Sequence, residues 1–272
     1  MKIINFERDH SRKDYRREMT IFLVGLVLVL GLATLPARSD AATDVSGRDI
    51  VSSVEKRLWG STVNGRYEMT ITTPYWKRTL MLRMWMRRPD KSFVRILSPA
   101  KEAGIGSLRI KSEMWNFLPK VERVIKIPPS MMLQPWMGSD FSNDDLVKES
   151  SMITDYTHKI VGTENYKGTE VYRIVSTPKP KAAVVWGSIV YVVRKSDSMP
   201  MRQEYIDERG QTIKVLTFSD IRKFGDRELP SQWEMRPTKK PGNFTRIRVV
   251  DVVFDKPIKD SIFSLRNLRR RR

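Results

Sequence analysis

The 272-residue chain has no cysteine and two histidines, His10 and His158. Without cysteine there can be no disulfide, no thiolate metal site, no Cys nucleophile and no lipid-anchored N-terminal Cys. With one histidine beyond the N-terminal region, no zinc site with ordinary ligands can be drawn. His158 lies in the alternating stretch TDYTHKIV, where a single histidine reads as structural rather than as a general base. The chain has no GxSxG elbow, no P-loop and no GxGxxG, and no carboxylate stands at a recognisable spacing from a nucleophile. The sequence therefore argues against an enzyme, and no cofactor or metal is expected. A lipid or glycan hydrolase stays open only if Ser139, Asp140 or His158 proves essential for turnover.

One long apolar run is present. Residues 1–18 carry six Lys/Arg, Ile21–Leu35 (IFLVGLVLVLGLATL) is an uninterrupted apolar core, and Pro36 and ARSDAA follow. This is the layout of a secretory signal, with the n-region at 1–20, the apolar core at 21–35 and cleavage near Ser39–Ala42. An uncleaved anchor is the rival, but 15 residues are few for a span that needs about 20. Export to the periplasm changes the meaning of the net charge of +19. A nucleic-acid partner, natural for a basic cytosolic protein, is not expected. Anionic head groups, and transient contact with an anionic membrane surface, take its place.

Beyond residue 42 the chain is long enough for one full core, and no linker divides it, so 42–268 reads as a single domain followed by a basic tail, 269–272. Asp44–Gly60 predicts one amphipathic helix, with Ile50, Val51, Val54 and Leu58 on its stripe, Asp44 or Ser46 as cap and Gly60 as stop. From Arg66 the period becomes two. Strands are expected at Arg66–Thr73, Lys77–Arg88, Ser92–Leu97, Ser107–Ile110, Met114–Leu118 and Val121–Ile127. They resume at Thr154–Val161, Glu170–Ser176, Val184–Arg194, Met201–Asp207, Gln211–Phe218, Leu229–Arg236 and Thr245–Val252. Regular short strands with little helix predict a mainly β fold built on one large antiparallel sheet, curved or nearly closed.

Met69 to Trp136 holds seven of the fourteen methionines and four of the seven tryptophans. Flexible, polarizable methionines suit a surface that takes variable apolar ligands; a Met-rich core is the plainer alternative. The stretch WMGSDFSNDD (Trp136–Asp145) concentrates acids that invite a metal or catalytic reading. Ser142 followed by Asp145 instead matches a capping box with Asp at the third position, and Phe141 and Leu146 stand where a hydrophobic staple would. Gly138 permits a left-handed backbone just before it.

Several of these segments, in this order, resemble the LolA-like family of outer-membrane lipoprotein-sorting proteins: PAKEAGIGSLRI (99–110), MWNFLPKVERVIKI (114–127), WMGSDFSNDDL (136–146), VGTENYKGTEVYRI (161–174), MPMRQEYIDERGQTIKVLTFSD (199–220) and DKPIKDSIFSL (255–265). Trp136 departs from the Phe more usual there but keeps an aromatic ring. The resemblance implies an unclosed half-barrel with a few helices covering its concave face. It implies a non-enzymatic periplasmic carrier or chaperone that binds lipoprotein acyl chains or phospholipid, with an inner-membrane transporter and an outer-membrane acceptor as partners. On that view Leu80, Leu82, Met84, Met86, Trp115, Met131 and Met132 line the cavity, and Trp136, Met137, Gly138 and Phe141 form its lid or edge. The alternative use of the same fold is a lipid-sensing or accessory subunit of a membrane transporter or regulator.

Overall fold

The computed structural model describes residues 45–148, 152–182 and 184–270. The export signal expected at 1–41, the alternative cap Asp44, and Arg271 and Arg272 of the basic tail lie outside the described residues. Helix α1 (Gly47–Trp59) opens the described chain. Thirteen strands follow: β1 (Thr62–Thr72), β2 (Lys77–Arg87), β3 (Lys91–Ser98), β4 (Gly106–Ile110), β5 (Glu113–Leu118), β6 (Arg123–Ile127), β7 (Tyr156–Tyr166), β8 (Thr169–Pro178), β9 (Ser188–Arg194), β10 (Pro200–Ile206), β11 (Thr212–Phe224), β12 (Arg227–Pro237) and β13 (Phe244–Phe254). Between β6 and β7 stand two 3₁₀ turns, Pro129–Met131 and Trp136–Gly138, and the short helices α2 (Asn143–Lys148) and α3 (Met152–Asp155). A 3₁₀ turn, Asp260–Ile262, and helix α4 (Leu265–Leu268) end it.

All thirteen strands belong to one antiparallel sheet in the order β6-β5-β4-β3-β2-β1-β13-β12-β11-β10-β9-β8-β7. Every neighbour is a hairpin partner except at the middle, where the first and last strands pair, Met69 opposite Ile247. The sheet does not close: β6 and β7 remain its two edges. The β6–β7 connection must therefore travel from one edge to the other, and its hydrogen bonds mark the route. Trp136 Nε1 donates to Ser107 on β4 at 2.9 Å, Asp140 accepts from Thr245 on β13 at 2.7 Å, and Asp145 pairs with Lys214 on β11. This crossing connection and α1 cover the same apolar face.

Helix α1 forms as its pattern requires. Ser46 and Asp49 make a reciprocal cap, with Asp49 N–H donating to Ser46 Oγ at 3.1 Å, and Gly60 ends the helix at φ +55°. Ile50, Val51, Val54 and Leu58 are all buried, each worth about 1.5–3 kcal/mol when removed from water. A methyl group added at Gly47 would stand 2.8 Å from the His158 carbonyl oxygen, so the start of the helix rests directly on β7.

The strands depart from their sequence-predicted limits in informative places. Thr154 and Asp155 belong to α3, not to β7, because Lys179 ties that turn down: its N–H donates to Asp155 O at 2.8 Å and its Nζ to Thr154 O at 2.7 Å. Val121 falls in the turn before β6. Val184 precedes β9, which begins at Ser188. β11 continues six residues past Phe218, paired with β12 as far as Phe224–Arg227. That extension is exposed on both faces, so it carries no apolar alternation to read. The helical cover is also not all on the concave side. α4 and the turn before it lie on the opposite face, where Phe263 and Leu268 join Phe93, Leu108 and Phe117.

Candidate functional site

The concave face holds a cavity of about 110 Å³ that opens to solvent. Its walls come from three sources: the C-terminal half of α1, the inward-facing residues of β1–β3 and β9–β13, and the β6–β7 connection.

One wall is aromatic. Trp59 from α1 stands edge-on to Trp233 of β12 at 5.2 Å between centroids, with Tyr67 and Phe218 each 6.2 Å from Trp233. Glu55 lies on the same helix face one turn earlier and lines the cavity with its carboxylate 2.9 Å from Arg88 Nη2. Burial pushes the Glu55 carboxyl up to about 7, and the Arg88 guanidinium offsets only part of that rise. The second wall is more polar. Trp186 and Tyr205 meet at 5.3 Å, and the ammonium of Lys214 sits 4.8 Å and 4.9 Å from their ring centres. Lys214 is buried and forms an ion pair with Asp145. Tyr205 also donates to Gln203 Oε1 at 3.1 Å.

The WMGSDFSNDD stretch forms the cap that its local chemistry predicts. Asp145 N–H donates to Ser142 Oγ at 3.3 Å, and Asp145 Oδ2 accepts from Ser142 N–H at 2.6 Å, the reciprocal cap of α2. Met137 and Gly138 take φ of +51° and +73°, which turns the chain back so that Trp136 N–H donates to Phe141 O at 2.7 Å. Arg78 of β2 bonds to the Met137 carbonyl, and Ser139 is buried with its hydroxyl donating to Trp136 O at 2.7 Å. Asp140 is drawn up by burial, an effect countered by its bond to Thr245 and by Lys240 and Lys214 nearby. Ser139 and Asp140 are thus spent on holding the loop. His158 Nδ1 lies 2.7 Å from Ser176 Oγ, and Ser176 is fully buried while His158 is half-buried, so the serine hydroxyl is not open to solvent. Among the described residues no group of three His, Asp or Glu side chains could hold a metal ion.

Of the residues singled out from the sequence, Leu82, Met84, Trp136 and Phe141 line the cavity. Leu80 and Met86 share their face of β2 but are packed into the core beside it, and Met132 and Met137 are half-buried against the same core. Gly138 contributes backbone only. Met131 is exposed. Trp115 is a correction: it packs on the opposite face with Trp85, Ile110 and Val124. On β5, Met114 belongs to the concave core and Phe117 to the convex one, so the one-residue step from Met114 carries Trp115 outward. The sequence reading did not include Trp59, Trp186, Tyr205 and Trp233, which also line the cavity. The end of the α1 stripe signals Trp59 and the shared parity with Met235 signals Trp233, whereas Trp186 and Tyr205 carry no comparable local signal.

No curated protein matches the chain. A family model described as "-like: Uncharacterized protein" matches residues 88–270. Among solved structures, the chain is similar to one described as an outer membrane lipoprotein-sorting protein domain from Vibrio parahaemolyticus (22% identity, TM-score 0.73, covering 82% of this chain and 98% of that one). It is similar to a DUF1329 family protein from Desulfovibrio piger (22%, 0.75, 82% and 97%). It is also similar to a LolA superfamily protein from Nitrosomonas europaea (17%, 0.71, 82% and 99%). At these identities the likeness establishes the fold. The chain belongs to the family whose model spans residues 88–270, and its unclosed half-barrel is the LolA-like fold that its motifs resemble.

Proposed function

We propose that the protein is a periplasmic, non-enzymatic carrier or chaperone that binds lipoproteins or lipids by their acyl chains and serves outer-membrane sorting. The observation that carries this reading is the cavity itself. It is walled mostly by apolar and aromatic side chains, opens to solvent, and is roofed by a helix and a crossing loop. Each methylene moved from water into such a site contributes about 0.8 kcal/mol, so a single acyl chain supplies ample affinity without any specific head-group contact. The apolar segment 21–35 behind a basic n-region supports export. An inner-membrane transporter as donor and an outer-membrane acceptor are the partners that a carrier in that compartment requires.

Native mass spectrometry of protein purified from the periplasm tests the proposal. Bound phospholipid or acylated peptide is the expected result, together with saturable binding of a fluorescent fatty-acid probe. Leu82→Trp with Met84→Trp, which fills the cavity from β2, should weaken probe binding at least tenfold while the far-UV circular dichroism stays unchanged. Protein that carries no lipid and binds neither probe nor acylated peptide would overturn the carrier reading.

A further inference from the structure

We propose that the end of the sheet bearing the β1–β2 and β12–β13 turns docks onto an anionic lipid bilayer, with Tyr75 and Trp76 at head-group level and Lys77, Lys101, Lys239 and Lys240 against the lipid phosphates. Tyr75 is 93% exposed and Trp76 45% exposed, side by side at the tip of one hairpin. They are the aromatic residues among the large hydrophobic side chains exposed in the described part of the chain. A solvated turn gains nothing from two such rings, whereas rings with an apolar body and a polar tip favour a membrane interface.

The tip is preformed. Thr73 N–H donates to Trp76 O at 2.9 Å, and Thr73 Oγ1 accepts from the N–H groups of Tyr75 and Trp76 at 3.2 Å and 3.1 Å. The β12–β13 turn stands against it: a methyl group at Gly242 would lie 3.0 Å from Pro74 Cγ. That contact brings the exposed Lys239 and Lys240 beside the aromatic pair. Lys77 is exposed on the same hairpin. The β3–β4 turn joins this end through Arg78, which bonds to Glu102 at 3.2 Å and places exposed Lys101 there. Glu102 is held by Arg78, and the four lysines are exposed around the two rings, Lys239 Nζ also donating to Gln211 Oε1 at 2.9 Å. That is the charge and shape complement of an anionic bilayer surface. Arg78 also stacks on Trp76 at 5.6 Å and bonds to the Met137 carbonyl of the lid, which puts the docking tip in direct contact with the loop that covers the cavity. Docking at this end would bring that loop to the membrane.

The purpose of this surface rests on the carrier reading, but its test does not. The exported form of the chain is sedimented with vesicles of phosphatidylcholine alone and of phosphatidylcholine mixed equally with phosphatidylglycerol. The protein should bind the mixed vesicles and not the neutral ones. Lys239→Glu with Lys240→Glu should weaken that binding at least about tenfold, and Tyr75→Ala with Trp76→Ala about fivefold. Both double variants should keep wild-type circular dichroism and fatty-acid probe binding. Wild-type protein that ignores mixed vesicles overturns the docking face, and so does vesicle binding that survives both double substitutions. Vesicle binding that depends on these residues in a protein that takes up no probe supports the docking face while removing the carrier role.

Discussion

The two faces of the sheet carry apolar clusters of different character, although each is covered by helix. On the convex side, α4 seats directly on β3–β5. A methyl group at Gly106 would come within 2.9 Å of Leu268 Cδ1, Trp85 stacks on Phe93 at 5.4 Å, and Arg95 Nη2 closes the contact by donating to Asn267 O at 2.7 Å. On the concave side, α1 packs toward β7, β9 and β12 while the crossing loop bonds to β4, β13 and β11, and both contribute walls to the cavity. The difference teaches that apolar density does not mark the binding face. Curvature does, because a curved sheet offers more inward surface than one helix, about 10 Å across, can cover.

The largest expected effect breaks the concave side through its polar support. Lys214→Met leaves Asp145 buried without its cation, so a loss of about 3–5 kcal/mol in unfolding free energy is expected, read by urea titration. Asp145→Asn in the same background should recover part of it. Next comes the convex side. Leu268→Ala opens a void in a fully packed contact and should cost about 2–4 kcal/mol, while fatty-acid probe binding stays within twofold of wild type. Loss of probe binding in that variant would mean that the two faces are not independent.

The smallest effect concerns Glu55, whose carboxyl is raised from 4.5 to about 7 in the fold. Between those values the folded state holds a proton that the unfolded chain has released, so stability falls as pH rises through that window. The contribution is at most about 3 kcal/mol. Glu55→Gln keeps an acceptor for Arg88 and should flatten the slope between pH 5 and pH 7. An unchanged slope would place the titration elsewhere.

Much of this architecture was legible as pattern. Alternation in Leu80, Leu82, Met84 and Met86 located β2, and Ser46-x-x-Asp49 and Ser142-x-x-Asp145 located two helix starts, because caps and pleats depend on neighbours a few residues apart. The capping role of Asp145 was read for the same reason, whereas its pairing with Lys214 and the bond of Asp140 to Thr245 are tertiary contacts that no local pattern shows. The site was legible only in part. On β5 both faces carry large apolar side chains, Met114 on one and Trp115 and Phe117 on the other, so parity grouped residues without saying which group faced inward, and Trp115 was placed on the wrong side.

What the sequence by itself determined, then, is most of the strand list, the helix caps and the lack of any cysteine, all set by composition and by spacings within a single element. Tertiary structure alone decided that β1 pairs with β13, that the crossing loop passes from β4 to β11, and that α4 takes the convex face. It alone brought Trp59 to Trp233, and Lys214 to Asp145 and Trp186. These partners lie tens to hundreds of residues apart, and only the closing curvature of the sheet, which no local pattern encodes, puts them in contact.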